Sequence, residues 1–125
     1  MHDFFFGTVV HGFGKGRDFG FPTANIKLNG SGLYIEKGVY AVVVTLDNQS
    51  YHGMLYAGTR PTLNLQEITI EIHIFEFDED IYFKPISFQI VHKIRDELHF
   101  DCIESLIKKL HHDKQMVYDF FSILS

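Results

Sequence analysis

Short runs of β-branched and aromatic residues alternate along the first three quarters of the chain with turn-forming clusters. Phe4 to Val10, Val39 to Leu46, Tyr51 to Ala57, Ile68 to Phe77 and Ile86 to Ile94 are runs of this kind, and Asp47-Asn48 and Asp78-Glu79-Asp80 interrupt them. Such runs read as strands. Strict alternation is clearest where Ile68, Ile70, Ile72 and Ile74 fall on one face and Thr69, Glu71, His73 and Phe75 on the other. Pro22 pushes Phe21 toward extended backbone, so Phe21 to Asn25 supplies a sixth strand. After Phe100 the period changes. Asp101 to Glu104 has the form of a capping box, Ile103, Leu106, Ile107 and Leu110 follow at helical spacing, and Asp113 is placed to cap a second helix through about Phe120. The pattern predicts a mainly β protein: a closed or partly closed six-stranded antiparallel barrel over about residues 1–96, then C-terminal α-helices over about 101–122, in one domain.

Composition narrows the partners. A chain of 125 residues, 46% hydrophobic, suffices for a single core, and no repeat or linker divides it. The formal net charge of -5 argues against nucleic acid, whose phosphate backbone needs basic surface. No apolar run has transmembrane length, and MHDFFFG lacks the form of a signal peptide, so a cytoplasmic monomer away from membranes is expected. Cys102 is the one cysteine and reads as a small helix residue. The eight histidines are scattered, and His111-His112 reads as surface and not as a zinc site.

Chemistry concentrates between His11 and Asn25, HGFGKGRDFGFPTAN. Gly12, Gly14, Gly16 and Gly20 would let backbone N–H groups approach a ligand closely, and Lys15 and Arg17 would add positive charge. The run matches neither a Walker A loop nor a dinucleotide fingerprint, because it leads into a strand and not a helix. By itself such a segment is more often a mobile loop than a phosphate cradle. The Thr23-Ala24-Asn25 ending favours the cradle: in extended backbone Thr23 and Asn25 point the same way and offer two hard oxygens to Mg²⁺. Glu71 stands mid-strand on the face opposite the isoleucines, where it meets either solvent or a polar site.

These residues resemble the signature of the riboflavin kinase family, whose bacterial members carry a glycine-rich arm with a Gly-Arg pair followed by Gly-Phe-Pro-Thr-Ala-Asn. Matches continue in order: Gly38-Val39-Tyr40, Gly58-Thr59-Arg60-Pro61-Thr62, Glu71-Ile72-His73-Ile74, Tyr82, and Ile94-Arg95 leading to Phe100-Asp101. The chain departs from the pattern at Tyr56-Ala57-Gly58, where Asn-Ile-Gly is usual, and at Phe83, where glycine usually follows Tyr82.

The resemblance implies a Greek-key-like barrel and an ATP:riboflavin 5'-phosphotransferase that forms FMN and ADP. It implies Glu71 as the general base toward the terminal ribityl hydroxyl, and Thr23 and Asn25 as ligands of Mg²⁺ brought with ATP. Gly12, Gly14, Gly16, Arg17, Thr23, Ile74 and Tyr82 fall where the family contacts nucleotide, and Arg95, Leu98 and Phe100 where it meets the flavin. Most bacterial relatives fuse this module to an adenylyltransferase that makes FAD, and no sequence for that domain is present; a fused or separate FAD synthetase is the implied partner. Two other readings of the same residues are a barrel that binds flavin or nucleotide without turnover, and an oligonucleotide-binding barrel, which the acidic balance disfavours.

Overall fold

The computed structural model describes residues 3–10, 22–30, 34–61 and 66–124. Six strands, β1 (Asp3–Val10), β2 (Ala24–Leu28), β3 (Gly38–Leu46), β4 (Gln49–Pro61), β5 (Gln66–Ile74) and β6 (Pro85–Asp96), precede one helix, α1 (Ile103–Leu124). The strands close into a barrel in the order β1-β2-β5-β4-β3-β6, with β6 returning to β1 and every neighbouring pair antiparallel. The expected six-stranded antiparallel barrel is therefore present.

Alternation decides which side chains fill it. Ile70, Ile72 and Ile74 of β5 point inward with Val42 and Val44 of β3, Leu55 of β4 and Phe88 of β6. Between β3 and β4, Asp47 and Asn48 take φ of 51° and 65°, the left-handed pair of a type I′ hairpin turn. Irregularities in the β3–β6 register, on either side of Tyr40-Ala41, bring Arg95 opposite Val39. Gly38 lies at the mouth of this pairing; a Cβ there would come within 2.5 Å of the Arg95 carbonyl oxygen.

A second core lies outside the barrel. Val39 and Ala41 of β3, Met54 of β4 and Phe75 are buried beneath Val117 and Phe121 of α1. Flat stacks fasten the helix further: His52 on Phe121 at 3.7 Å between centroids, His92 on Phe120 at 4.6 Å and Phe75 on Tyr118 at 4.4 Å. Burial of Val117 and Phe121 alone contributes roughly 1.5–3 kcal/mol each. β3 is consequently buried on both faces.

Several expectations need correction. There is one C-terminal helix and not two: Asp113, expected to cap a second helix, is fully buried within α1. The helix starts one residue later than the expected capping box implies. Cys102 precedes it, with its carbonyl accepting from the Leu106 N–H and its thiol 3.2 Å from the Ser105 hydroxyl. The hydrogen bonds from Ser105 hold that exposed thiol below its ordinary pKa. Ile103, expected in the buried stripe, is 59% exposed, because the face that docks lies further along, at Asp113, Val117 and Phe121. The second strand occupies Ala24–Leu28, leaving Pro22 and Thr23 just before it, and β5 stops at Ile74, where Glu76 turns the chain with φ of 55°.

Candidate active site

The pleat that sends Ile70, Ile72 and Ile74 inward sends Glu71 to the outer face of the barrel. Its register partners are Asn25 on β2 and Tyr56 on β4. Directly opposed residues project to the same side of an antiparallel ladder. Asn25, Glu71 and Tyr56 thus form a row, which continues through Val39 on β3 to Arg95 on β6. Glu71 and Arg95 stand about 14 Å apart along the sheet, three strand spacings.

Thr23 lies two residues before Asn25, and its hydroxyl donates to Glu71 Oε1 at 3.2 Å. That bond uses the only hydroxyl proton and leaves the oxygen lone pairs available. Behind it, His73 Nδ1 lies 2.8 Å from the Pro22 carbonyl oxygen. A carbonyl can only accept, so Nδ1 carries the proton there. Burial pushes the His73 pKa below its ordinary value, the Pro22 bond raising it less and the Lys114 charge lowering it further. His73 so ties the end of β5 to the chain that presents Thr23.

A cleft of about 310 Å³ opens beside Thr23. Val9, Ile72 and Ile74 give it apolar lining, and Asp78, Glu79, Asp80 and Tyr82 border it on the following loop. The Tyr82 N–H donates to Asp80 Oδ1 at 3.1 Å, which sets the ring, 41% exposed, at the border. The acidic run read from the sequence as a turn is exposed and also lines this cleft.

At the far end of the row, Arg95 Nε and Nη2 donate to both oxygens of Asp113, and Nη1 donates to the Asp96 carbonyl. The Arg95 side chain is 10% exposed and that of Asp113 0%. Phe100 is half-buried with its ring centroid 5.8 Å from Arg95 Cζ, and Leu98 is 47% exposed. Between the two ends, Tyr56 donates from its hydroxyl to Glu97 Oε2 at 3.1 Å. Burial, with Glu97 beside it, pushes its pKa up to about 12, so at neutral pH it is a phenol donor.

The expected site residues fall into two groups. Glu71, Thr23 and Asn25 come together, and Thr23 joins them to the cleft that Ile74 and Tyr82 line. Arg95, Leu98 and Phe100 gather three strands away. Gly12, Gly14, Gly16 and Arg17 lie outside the described residues. The sequence assigns no site role to His73, Tyr56 or Glu97, and points to Asp113 only as a helix cap. His73 alone had a local signal, being two residues from Glu71 on the same face of one strand. Among the described residues no three His, Cys, Asp or Glu side chains form a metal-binding cluster. The hydroxyl, carboxamide and carboxylate oxygens of Thr23, Asn25 and Glu71 nonetheless form the hard-donor set that suits Mg²⁺.

A carboxylate with oxygen donors beside a cleft, on the outer face of a closed barrel, can take a proton from a hydroxyl and hold a metal-bound phosphate. A family model described as flavokinase, riboflavin kinase, matches residues 2–121, and the chain belongs to the riboflavin kinase family. It is 42% identical over 120 residues to the RNA-binding riboflavin kinase RibR of Bacillus subtilis, a match covering 94% of this chain and 51% of that protein. It is 39% identical over 118 residues to a bifunctional riboflavin kinase/FMN adenylyltransferase of Haemophilus influenzae, covering 94% of this chain and 38% of that one. The crystal structure of riboflavin kinase from Trypanosoma brucei superposes with a TM-score of 0.66 at 24% identity, over 97% of this chain and 80% of that chain, a likeness of fold. The chain thus spans about half or less of the curated relatives named here. No helix among the described residues is long and apolar enough to cross a membrane.

Proposed function

We propose that residues 1–125 form one riboflavin kinase module, an ATP:riboflavin 5'-phosphotransferase acting in the cytoplasm as a monomer. The observation that carries this reading is the meeting of Asn25 and Glu71 on adjacent strands with Thr23, which bonds to Glu71 and lines the cleft. Nucleotide enters that cleft, against Ile74 and Tyr82, with Gly12, Gly14, Gly16 and Arg17 reaching its phosphates. Riboflavin presents its ribityl chain to Glu71 and its ring to Arg95, Leu98 and Phe100. Glu71 takes the proton of the terminal ribityl hydroxyl as its oxygen bonds to the γ-phosphorus. The bond from that phosphorus to the β–γ bridging oxygen breaks, and FMN and ADP result. The Thr23 hydroxyl holds the Glu71 carboxylate in place through its proton.

Thr23 and Asn25 fit a magnesium ion, since both offer neutral oxygens and Thr23 keeps its lone pairs free while donating to Glu71. When bound, the ion would neutralise charge on the nucleotide phosphates. FMN is the substrate of an adenylyltransferase, fused or separate, and the bifunctional relatives support that partner. The presence of Glu71 within this oxygen cluster favours turnover over a barrel that only binds flavin or nucleotide.

Incubation with riboflavin and MgATP, and separately with MgCTP, tests the reading by FMN formation; no FMN from either donor sinks it. Glu71→Gln keeps the shape and removes the base, so turnover should fall by about 10²–10⁴ while riboflavin and MgATP still raise the melting temperature. Full activity in Glu71→Gln would take the base role from Glu71.

A further inference from the structure

Between the base and the flavin group the row holds the fully buried Val39 and one polar side chain, Tyr56, that takes no part in the proton or phosphoryl transfer. Tyr56 is half-buried and is the direct cross-strand neighbour of Glu71. Its hydroxyl reaches across to Glu97, the first residue after β6. Residues 97–100 form neither strand nor helix and include Leu98 and Phe100. Phe100, at the end of this stretch, lies against Arg95, and Glu97, at its start, is held by Tyr56.

The local backbone is built to allow that contact. Gly58 follows Tyr56 by two residues on the same face, and a Cβ there would lie 2.7 Å from Tyr56 Cε1 and 3.2 Å from Glu97 Oε2. The ring lies over Gly58, and the carboxylate comes down beside it. Even an alanine at position 58 would force the ring to shift. The phenol therefore joins β4, directly beside the strand of the base, to the segment that carries the flavin contacts.

We propose that Tyr56 is a positioning residue, fastening residues 97–100 to the row that carries Glu71 so that a flavin ring held there presents its ribityl hydroxyl to the base. This inference rests on the riboflavin kinase reading. The fastening acts on riboflavin and leaves the nucleotide cleft untouched, since neither Tyr56 nor Glu97 lines that cleft.

The test is steady-state FMN formation by the whole chain, with riboflavin affinity measured in parallel by quenching of flavin fluorescence. Tyr56→Phe keeps the ring and removes the donor; it should raise the KM and Kd for riboflavin roughly tenfold, as loss of a hydrogen bond to a charged group does. The KM for MgATP should stay unchanged. Glu97→Ala should reproduce the effect, Glu97→Gln, which keeps an acceptor, should restore most of the affinity, and Tyr56→Phe with Glu97→Ala should be no worse than either alone. Unchanged riboflavin affinity in Tyr56→Phe overturns the fastening while leaving the kinase reading intact. Equal losses toward both substrates with a lowered melting temperature also overturn it, because they mark a role in folding only. Absence of FMN from the unaltered chain overturns the kinase reading and this inference with it.

Discussion

Asp113, in the middle of α1, grips the guanidinium of Arg95 on β6 through three hydrogen bonds of 2.8, 2.9 and 3.0 Å. Leu106, Leu110, Asp113, Val117 and Phe121 recur at helical spacing, so the aspartate occupies the apolar stripe of its own helix. A charge at that position is tolerated because the barrel presents an arginine to it, with Lys109 Nζ 4.0 Å away on the helix itself. The same arginine closes the row of outward-facing residues that begins at Asn25.

Breaking this pair from one side should be expensive. Asp113→Ala leaves the Arg95 charge buried and should lower unfolding stability by about 3–5 kcal/mol, whereas a double variant with leucine at both positions should lose much less. Urea denaturation of the three chains checks this. A loss below about 1 kcal/mol in Asp113→Ala would place the pair in the class of exposed ion pairs.

Asn25→Ala should shift the magnesium requirement and leave the fold alone, because the side chain lies on the outer face beside Glu71. The Mg²⁺ concentration giving half-maximal FMN formation at fixed ATP should rise by at least the roughly tenfold that removal of an outer-shell partner costs. An unchanged magnesium titration would remove Asn25 from the set of ligands.

His73 makes stability depend on pH in a stated direction. Burial holds its folded pKa below the unfolded value, which is about 6.5. Its contribution is therefore complete above about pH 6.5 and is lost as pH falls through the depressed folded value, because the unfolded chain binds the proton more readily. Melting temperatures from pH 8 down to pH 5 should decline more steeply for the parent than for His73→Asn. Parallel curves would show that His73 is not the source of the slope.

The strands of the barrel were legible because each carries its own evidence. The isoleucines of β5 announce the pleat, and Asp47-Asn48 announces its turn. The end of the chain was less legible. Asp113 looks like a helix cap because short acidic residues favour caps, and nothing near it in sequence reveals that Arg95 will neutralise it within a continuous helix. His73 and Phe75 sit opposite the isoleucines and would face water on a bare barrel, yet both are buried on the outer side. Thr23, Asn25 and Glu71 stand out by residue type and motif; their proximity follows from the pairing of β2 with β5, which brings together Thr23 and Glu71 from 48 positions apart. Tyr56 appeared only as a departure from the family pattern, because its partner Glu97 is 41 residues away.

Because Glu71 alternates with Ile70 and Ile72, β5 cannot slide by one residue against its neighbours without exchanging the two faces. A slipped strand would drive the carboxylate into hydrocarbon and turn the isoleucines toward water, a state the folding chain rejects on energetic grounds. Errors in placing the Glu71 carboxylate are therefore screened out during folding, and the oil-filled interior proofreads the layout of the outer face.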